Sequence, residues 1–380
     1  MNADLPTLET AEPAAPPVMG AAHVPTFAKG GGFQTALKQR VDAYFEASGR
    51  DRRDALALYL KAAILLTSFA GLYVVLVFVA QTWWQALPVA VALGFVTAAI
   101  GMNVQHDGGH GSFSDRPSIN RLAARTLDLI GGSSYLWHWK HGVLHHTYTN
   151  IEGHDTDPEA GLVGRMTPYQ RRFWFHRWQH VYLWPLYGLL AMKWHFVDDF
   201  KDLIRGRMGE HRIPRPRGRE AVVFAAGKLT FFTLAFVVPL LRHPLSSVIA
   251  CYAVAAGVTG IVLAVVFQLA HIVEEAAFPA PSPATGRLDD EWAVHQLKTT
   301  VDFARGNRAV TWLIGGLNFQ IEHHLFPRIS HVHYPAISRV VEDTCREFHV
   351  PYAAHTGFWA GVASHFRWLR RMGAPPVAAA

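Results

Sequence analysis

No charged residue occurs between Ala62 and Gln105, a stretch far longer than the roughly 20 residues one helix needs to cross a bilayer. It must fold back on itself. Polar amides at Gln81 and Gln85 flank Thr82, Trp83 and Trp84, and tryptophan settles at the membrane–water interface, so the turn falls there. A helical hairpin over residues 62–80 and 84–104 is predicted. A second hairpin is predicted over 221–241 and 245–270, joined by the short turn Arg242-His243-Pro244. Lys228 interrupts its first arm and is expected either to snorkel or to face the protein interior.

Between the hairpins, Val181–Met192 is apolar but too short to span. With Trp174, Trp178, Trp184 and Trp194 around it, it reads as a helix lying in the interface or as a buried helix of a cytoplasmic cap. The run from Arg212 to Arg219 carries four arginines and two prolines, resists helix, and is expected to be a basic loop touching anionic lipid. Residues 1–32, rich in Ala, Pro and Gly, lack the basic start and apolar core of a signal peptide and are expected to be a disordered leader. The fold class is therefore all-α and integral to the membrane, with four transmembrane helices in two hairpins, a cytoplasmic helical cap and interfacial helices. Residues 33–380 form one membrane domain, with no internal repeat.

Composition agrees. The 380 residues include 12 Trp and 23 Phe, and 17% are charged, against about 25% in a soluble domain. Of the two hairpin turns only the second holds a basic residue, Arg242, whereas the segments outside the spans hold nearly all the other Lys and Arg. Cytoplasmic segments carry the basic excess, which puts both turns away from the cytoplasm and both termini within it. The net charge of +6 is accounted for by that bias, and no nucleic-acid partner is expected. Cys251 and Cys345 are the only cysteines; with one in a span and one in the tail, neither a disulfide nor a Cys-rich metal site is expected.

The candidate chemistry lies in three short histidine clusters: His106-Asp-Gly-Gly-His110, His141-Gly-Val-Leu-His145-His146 and Gln320-Ile-Glu-His323-His324. Neutral imidazole binds iron, zinc, copper and nickel, and residues four apart on a helix share a face. One such pair would be a coincidence; three clusters beside long apolar segments point to a metal centre. The predicted topology brings all three to the cytoplasmic surface, together with His271 at the end of the fourth span, an additional candidate ligand. Four-coordinate zinc would leave half of these eight histidines idle, whereas two ions would use them all together with Gln320. Iron is favoured on chemical grounds, because it activates O2 for attack on unactivated C–H bonds at a lipid boundary. Asp107, Asn150, Asp155, Asp157, Asn318 and Glu322 are candidates to accept the imidazoles' other N–H groups. His295 lies outside the clusters and reads as structural or substrate-lining.

These boxes, with Thr147-Tyr-Thr-Asn150 after the second and Leu325-Phe-Pro327 after the third, resemble those of the integral-membrane fatty acid desaturase family over about residues 60–350. The resemblance implies two iron ions, O2 reduced to water and a double bond introduced into the acyl chain of an acyl-lipid or acyl-CoA. It implies His106, His110, His141, His145, His146, His271, His323 and His324 as ligands. Gln320 replaces the first histidine of the third box, a variant typical of front-end desaturases, which act between an existing double bond and the carboxyl end. At the catalytic centre it would ligate directly or hold a water. The sequence has no His-Pro-Gly-Gly haem motif, so electrons are expected from a separate ferredoxin or cytochrome b5 with its reductase. Three residues separate the first two histidines of the second box where two are commoner, leaving His138 and His141 as alternatives. Hydroxylases of alkanes, sterols or carotenoids use similar boxes, and a zinc-dependent membrane hydrolase or a metal-binding receptor is the alternative of another class.

Overall fold

A computed structural model of the protein describes residues 24–375, so residues 1–23 of the expected leader lie outside the described residues. Among the described residues, four helices are long and apolar enough to span a membrane: Leu56–Val79, Trp83–His110, Arg219–Leu240 and Leu245–His271. Large apolar side chains such as Leu60, Ile64, Phe95, Leu229 and Ile249 stand exposed along them, as expected of helices solvated by lipid rather than water. Among the described residues, β-structure is confined to two pairs of two-residue strands and one isolated bridge.

The hairpin turns fall where amides and prolines place them. Gln85 Oε1 accepts from the backbone N–H of Gln81 (2.9 Å) and Thr82 (3.2 Å), satisfying donors that a helix start leaves orphaned. The second turn meets the end of the first span: His243 Nε2 donates to the carbonyl of Val77 at 2.7 Å. The second and fourth spans pack most closely, at Gly94, where an added Cβ would lie 2.5 Å from the Ala255 carbonyl oxygen. Thr259 Oγ1 donates to the Gly94 carbonyl there at 3.0 Å, the small-residue contact typical of membrane helices.

Both lysines of the spans point inward. Lys228 is buried and donates to Gly131 O (2.7 Å) and Asp199 Oδ2 (2.6 Å). The first span starts at Leu56 rather than at 62 because Lys61, buried as well, turns from lipid toward His331 Nε2 at 3.3 Å. The segment read as interfacial or capping combines both features. In helices Gln179–Leu186 and Leu189–Lys193, Leu183 and Ala191 are buried, while Val181 and Leu189 are exposed.

A helical cap closes the end of the bundle opposite the turns. Helix Phe33–Ser48 buries Phe33, Leu37, Val41 and Phe45, a strict four-residue stripe, in one core with Ile337, Val341 and Cys345 of helix Tyr334–Glu347. Helix Phe358–Gly373 clamps the end of the fourth span, with His365 Nδ1 donating to Ile272 O at 2.6 Å. Part of the expected leader is held against this cap: Thr26 N–H donates to Gly286 O, Ala28 N–H to Asp290 O and Gly31 N–H to Glu291 Oε2. Both cysteines are free.

Candidate metal centre

Each histidine cluster is positioned by a helix end at the cap side of the bundle. The second span was expected to stop at 104 but runs on through a π-helical turn, Gly101–Gln105, into His106–His110. The two glycines between these histidines are set by close approach. A Cβ on Gly108 would lie 2.5 Å from Ala124 N, and one on Gly109 2.2 Å from the Trp137 ring, so any side chain would push the first cluster out of place.

The second cluster lies on a π-helix, His138–His145. Its i→i+5 pairing widens the turn, so His145 and His146 both face back toward His141, with ring centroids 4.9 and 5.0 Å from it. An α-helix would have turned His146 aside. His138, the alternative first ligand, is exposed. Helix Gln320–Leu325 carries the third cluster, and His271 ends the fourth span.

These elements bring all eight histidines together in two groups. Ligand nitrogens of His106, His110, His141 and His323 lie within 4.8 Å of one another, as do those of His145, His271 and His324. His146 joins the groups, its nitrogens within the same limit of those of His323 and His324 and its ring 4.5 Å from that of His110. Every one of the eight turns a nitrogen inward that has no partner outside the cluster. Nε2 of His110, His145, His323 and His324 and both nitrogens of His146 are buried without any partner. Nε2 of His106 faces that of His141 at 3.3 Å, and Nε2 of His271 faces Gln320 Nε2 at 2.9 Å.

An unsatisfied buried polar group costs about 1–3 kcal/mol, so the six wholly unpartnered nitrogens together rival the about 5–15 kcal/mol net stability of a typical domain. Metal coordination removes that cost. The donor set is therefore fit for metal: lone pairs, buried and aimed at common points.

The outward nitrogens are held. His141 Nδ1 donates to Asp157 Oδ2 (2.6 Å), His145 Nδ1 to Asp155 Oδ2 (2.9 Å), His324 Nδ1 to Gln296 Oε1 (2.8 Å), and His271 Nδ1 to Thr299 O (3.3 Å). His323 Nδ1 pairs with Tyr334 OH at 3.2 Å. Burial, then the neighbouring imidazoles, hold His146, His323 and His324 well below the ordinary histidine value, keeping them neutral and able to ligate. At His145 burial works the same way, but the Asp155 charge and hydrogen bond outweigh it and the net shift is upward.

Of the residues expected beside the ligands, Asp155 and Asp157 accept from imidazoles. The others take different partners. Asp107 binds His331 Nδ1 at 2.8 Å. Asn150 bridges the backbone, donating to His271 O (3.0 Å) while its own N–H meets Asp155. Asn318 donates to Thr311 Oγ1 (3.0 Å). Glu322 accepts from Tyr352 OH at 2.9 Å, and burial, then the neighbouring Asp302 carboxyl, push it well above the usual carboxylate range. Gln296 and Tyr334 were missed, since no spacing ties them to a box; helix Trp292–Thr299 packs between the second and third boxes only in the folded chain. His295 is structural, its Nε2 on Thr149 O at 3.0 Å.

Four spans with such a cluster at one end define a membrane metalloenzyme, and the family model described as fatty acid desaturase matches residues 81–356: the chain belongs to the fatty acid desaturase family and is an oxidoreductase. Among individual proteins it is 40% identical to the sn-1 linoleoyl-lipid 6-desaturase of Arthrospira platensis, over 92% of this chain and 95% of that one. It is 38% identical to the protein of the same name from Synechocystis, over 90% and 96%. It is also 37% identical to the acyl-lipid (8-3)-desaturase of Physcomitrium patens, over 90% of this chain and 72% of that one.

Proposed function

We propose that the chain is a di-iron, front-end acyl-lipid desaturase whose histidine cluster faces the cytoplasm. One ion would be held by His106, His110, His141 and His323 and the other by His145, His271 and His324, with His146 between them. The observation that carries this reading is the set of eight imidazoles, each with an inward nitrogen unclaimed by the rest of the protein. Such a pair of iron ions, when bound, supplies the oxidising power to take two hydrogens from an acyl chain as O2 is reduced to water with two further electrons.

The protein's own residues orient and enclose. Asp157, Asp155, Gln296, Tyr334 and the Thr299 carbonyl fix the ring orientations of five imidazoles. Trp137 stacks on His141 (centroids 4.7 Å apart), and Phe267 lies against His145 and His271 (5.1 and 4.7 Å), walling water out from two sides. Gln320 brings an amide to His271; turned about its terminal bond, that amide offers oxygen in place of nitrogen to a neighbouring ion.

The relatives' names favour desaturation over hydroxylation and an acyl chain esterified to a lipid, and the glutamine in the third box supports insertion on the carboxyl side of an existing double bond. Expression in a host that makes a diunsaturated but no further unsaturated lipid tests this. Two irons per purified chain and a lipid lighter by two hydrogens are expected. A lipid gaining oxygen would make the chain a hydroxylase, and a single zinc would overturn the reading.

A further inference from the structure

A cleft of about 360 Å³ lies in the cap beside the third histidine box, between helix Phe33–Ser48, the start of helix Trp292–Thr299 and the turn after His324. Its rim carries Lys38, Arg52, Arg53 and Arg328, opposed by one acid, Asp42; Trp292 and Phe326 lie on its floor. Arg52 is paired with Asp42 at 2.6 Å and Arg53 with Asp115 at 2.8 Å. Lys38 and Arg328 are exposed, and no acidic partner among the described residues lies within ion-pair reach of either. The cleft thus keeps a positive surplus that nothing in the fold uses.

Two of its lining residues, Leu325 and Trp292, connect it to the metal centre. Leu325, which lines it, is the next residue after His324. Trp292 donates its indole N–H to the backbone carbonyl of His146 at 3.2 Å, and the ring of His146 is 4.3 Å from that of His324 and 4.6 Å from that of His323. One hydrogen bond therefore separates an aromatic ring in the cleft from the histidine shared by both groups.

Resting on the di-iron reading, we propose that this cleft is the docking surface for an acidic one-electron carrier protein, which delivers electrons over Trp292 and Leu325. Charge complementarity selects the partner: a positive rim around an apolar floor captures an anionic protein and speeds its encounter. The balance requires an outside source of electrons, which the carrier supplies. Each double bond yields two electrons and two protons from the chain, while reducing O2 to two waters takes four of each. Two electrons come singly from two carrier encounters, and two protons from solvent.

The test uses the full, iron-loaded chain with lipid substrate and a reduced, acidic [2Fe–2S] ferredoxin as carrier, set against photoreduced deazaflavin, a small reductant that needs no docking site. In the Lys38→Glu/Arg328→Glu variant the KM for ferredoxin should rise about tenfold or more, with deazaflavin-driven turnover within about twofold of wild type. Raising salt toward about 0.5 M should slow ferredoxin-driven turnover in the wild type and much less in the variant, as screening shortens the reach of the rim charges. An unchanged KM for ferredoxin overturns the proposal. So does an equal loss with both reductants accompanied by a raised KM for lipid, which would make the cleft a lipid-phosphate site. A wild-type protein that holds iron yet forms no double bond with either reductant would instead remove the desaturase reading itself.

Discussion

The two halves of the histidine cluster are built differently. His145, His271 and His324 are all wholly buried, and each has its outer nitrogen fixed, by a carboxylate, a backbone carbonyl and an amide in turn. The group of His106, His110, His141 and His323 is less enclosed: His106 and His141 keep 7% and 6% exposure, and His110 is only partly buried. There only His141 and His323 are held from outside, by Asp157 and Tyr334. The sealed half has a fixed geometry and borrows Gln320; the open half lies nearer solvent and relies on more imidazoles. On the proposed reading, the two halves would hold their ions in different surroundings. The sealed half would set the electronic properties of its ion through its surroundings.

The largest effect should come from the residue common to both halves. His146→Ala is expected to lower desaturation by at least about a hundredfold and to reduce iron in both sites, since losing a ligand costs more than the 10–100-fold typical of losing a ligand's support. Single alanine replacements of His106, His145, His323 or His324 should also abolish activity, each emptying chiefly its own half. All should remain in the membrane fraction, because the four spans bury their apolar surface independently of metal. Iron per chain, turnover and membrane fractionation check this; near-normal turnover in any variant would remove that residue from the centre.

Gln320 sharpens the contrast next. It is 3% exposed and meets His271, so Gln320→Leu, which keeps volume but removes the donor, should lose most activity while the open half keeps its iron. Gln320→His should hold two irons but turn over slowly, because a stronger ligand alters a half built around an amide. Wild-type activity in Gln320→Leu would show that the amide is a bystander.

Supporting carboxylates should follow. Asp155 binds His145 and also receives the backbone N–H of Asn150 and Asp157, whereas Asp157 holds His141 and lies 3.9 Å from Lys140. Asparagine at 155 should therefore cost more iron affinity than asparagine at 157, within the 10–100-fold range for such groups. Metal titration of both variants decides; the reverse order would mean that the open half depends more on its support.

What the sequence revealed was what periodicity and charge control. The unbroken apolar run after Ala62, the amide–tryptophan turn and the short Arg242-His243-Pro244 turn placed two hairpins, because a bilayer punishes charge strongly and locally. Seven of the eight histidines were legible because they come in boxes, and His271 because it ends the fourth span. Span ends were less so: Lys61 read as a boundary, yet the fold gives it His331 and the span begins at Leu56. Asp107 and Glu322 sit inside their boxes yet turn to His331 and Tyr352, since neighbours along a helix point to different faces. Gln296, by contrast, supports His324 from 28 positions away. Sequence proximity to a ligand was a poor guide to contact with it, because the contact is made by packing.

Asn318 offers the smallest and most discriminating prediction. It stands two residues before Gln320 and was expected to support an imidazole, but its amide ties Thr311 Oγ1 (3.0 Å) and Ala304 O (3.4 Å) instead, bracing the turn that leads into the third box. Asn318→Ala removes two hydrogen bonds, the one to Ala304 O buried and the one to Thr311 Oγ1 part-buried, a loss of about 1–3 kcal/mol. It also removes Oδ1, a buried acceptor without a partner, which offsets part of that loss and puts the expected effect near the lower end, about 1 kcal/mol. Thermal unfolding should therefore shift down slightly while iron per chain and turnover at low temperature stay within about twofold of wild type, far below the effect of Asp155→Asn, since no imidazole changes its partner. Loss of iron from the sealed half alone would show instead that the turn, through Gln320, belongs to the coordination of that half.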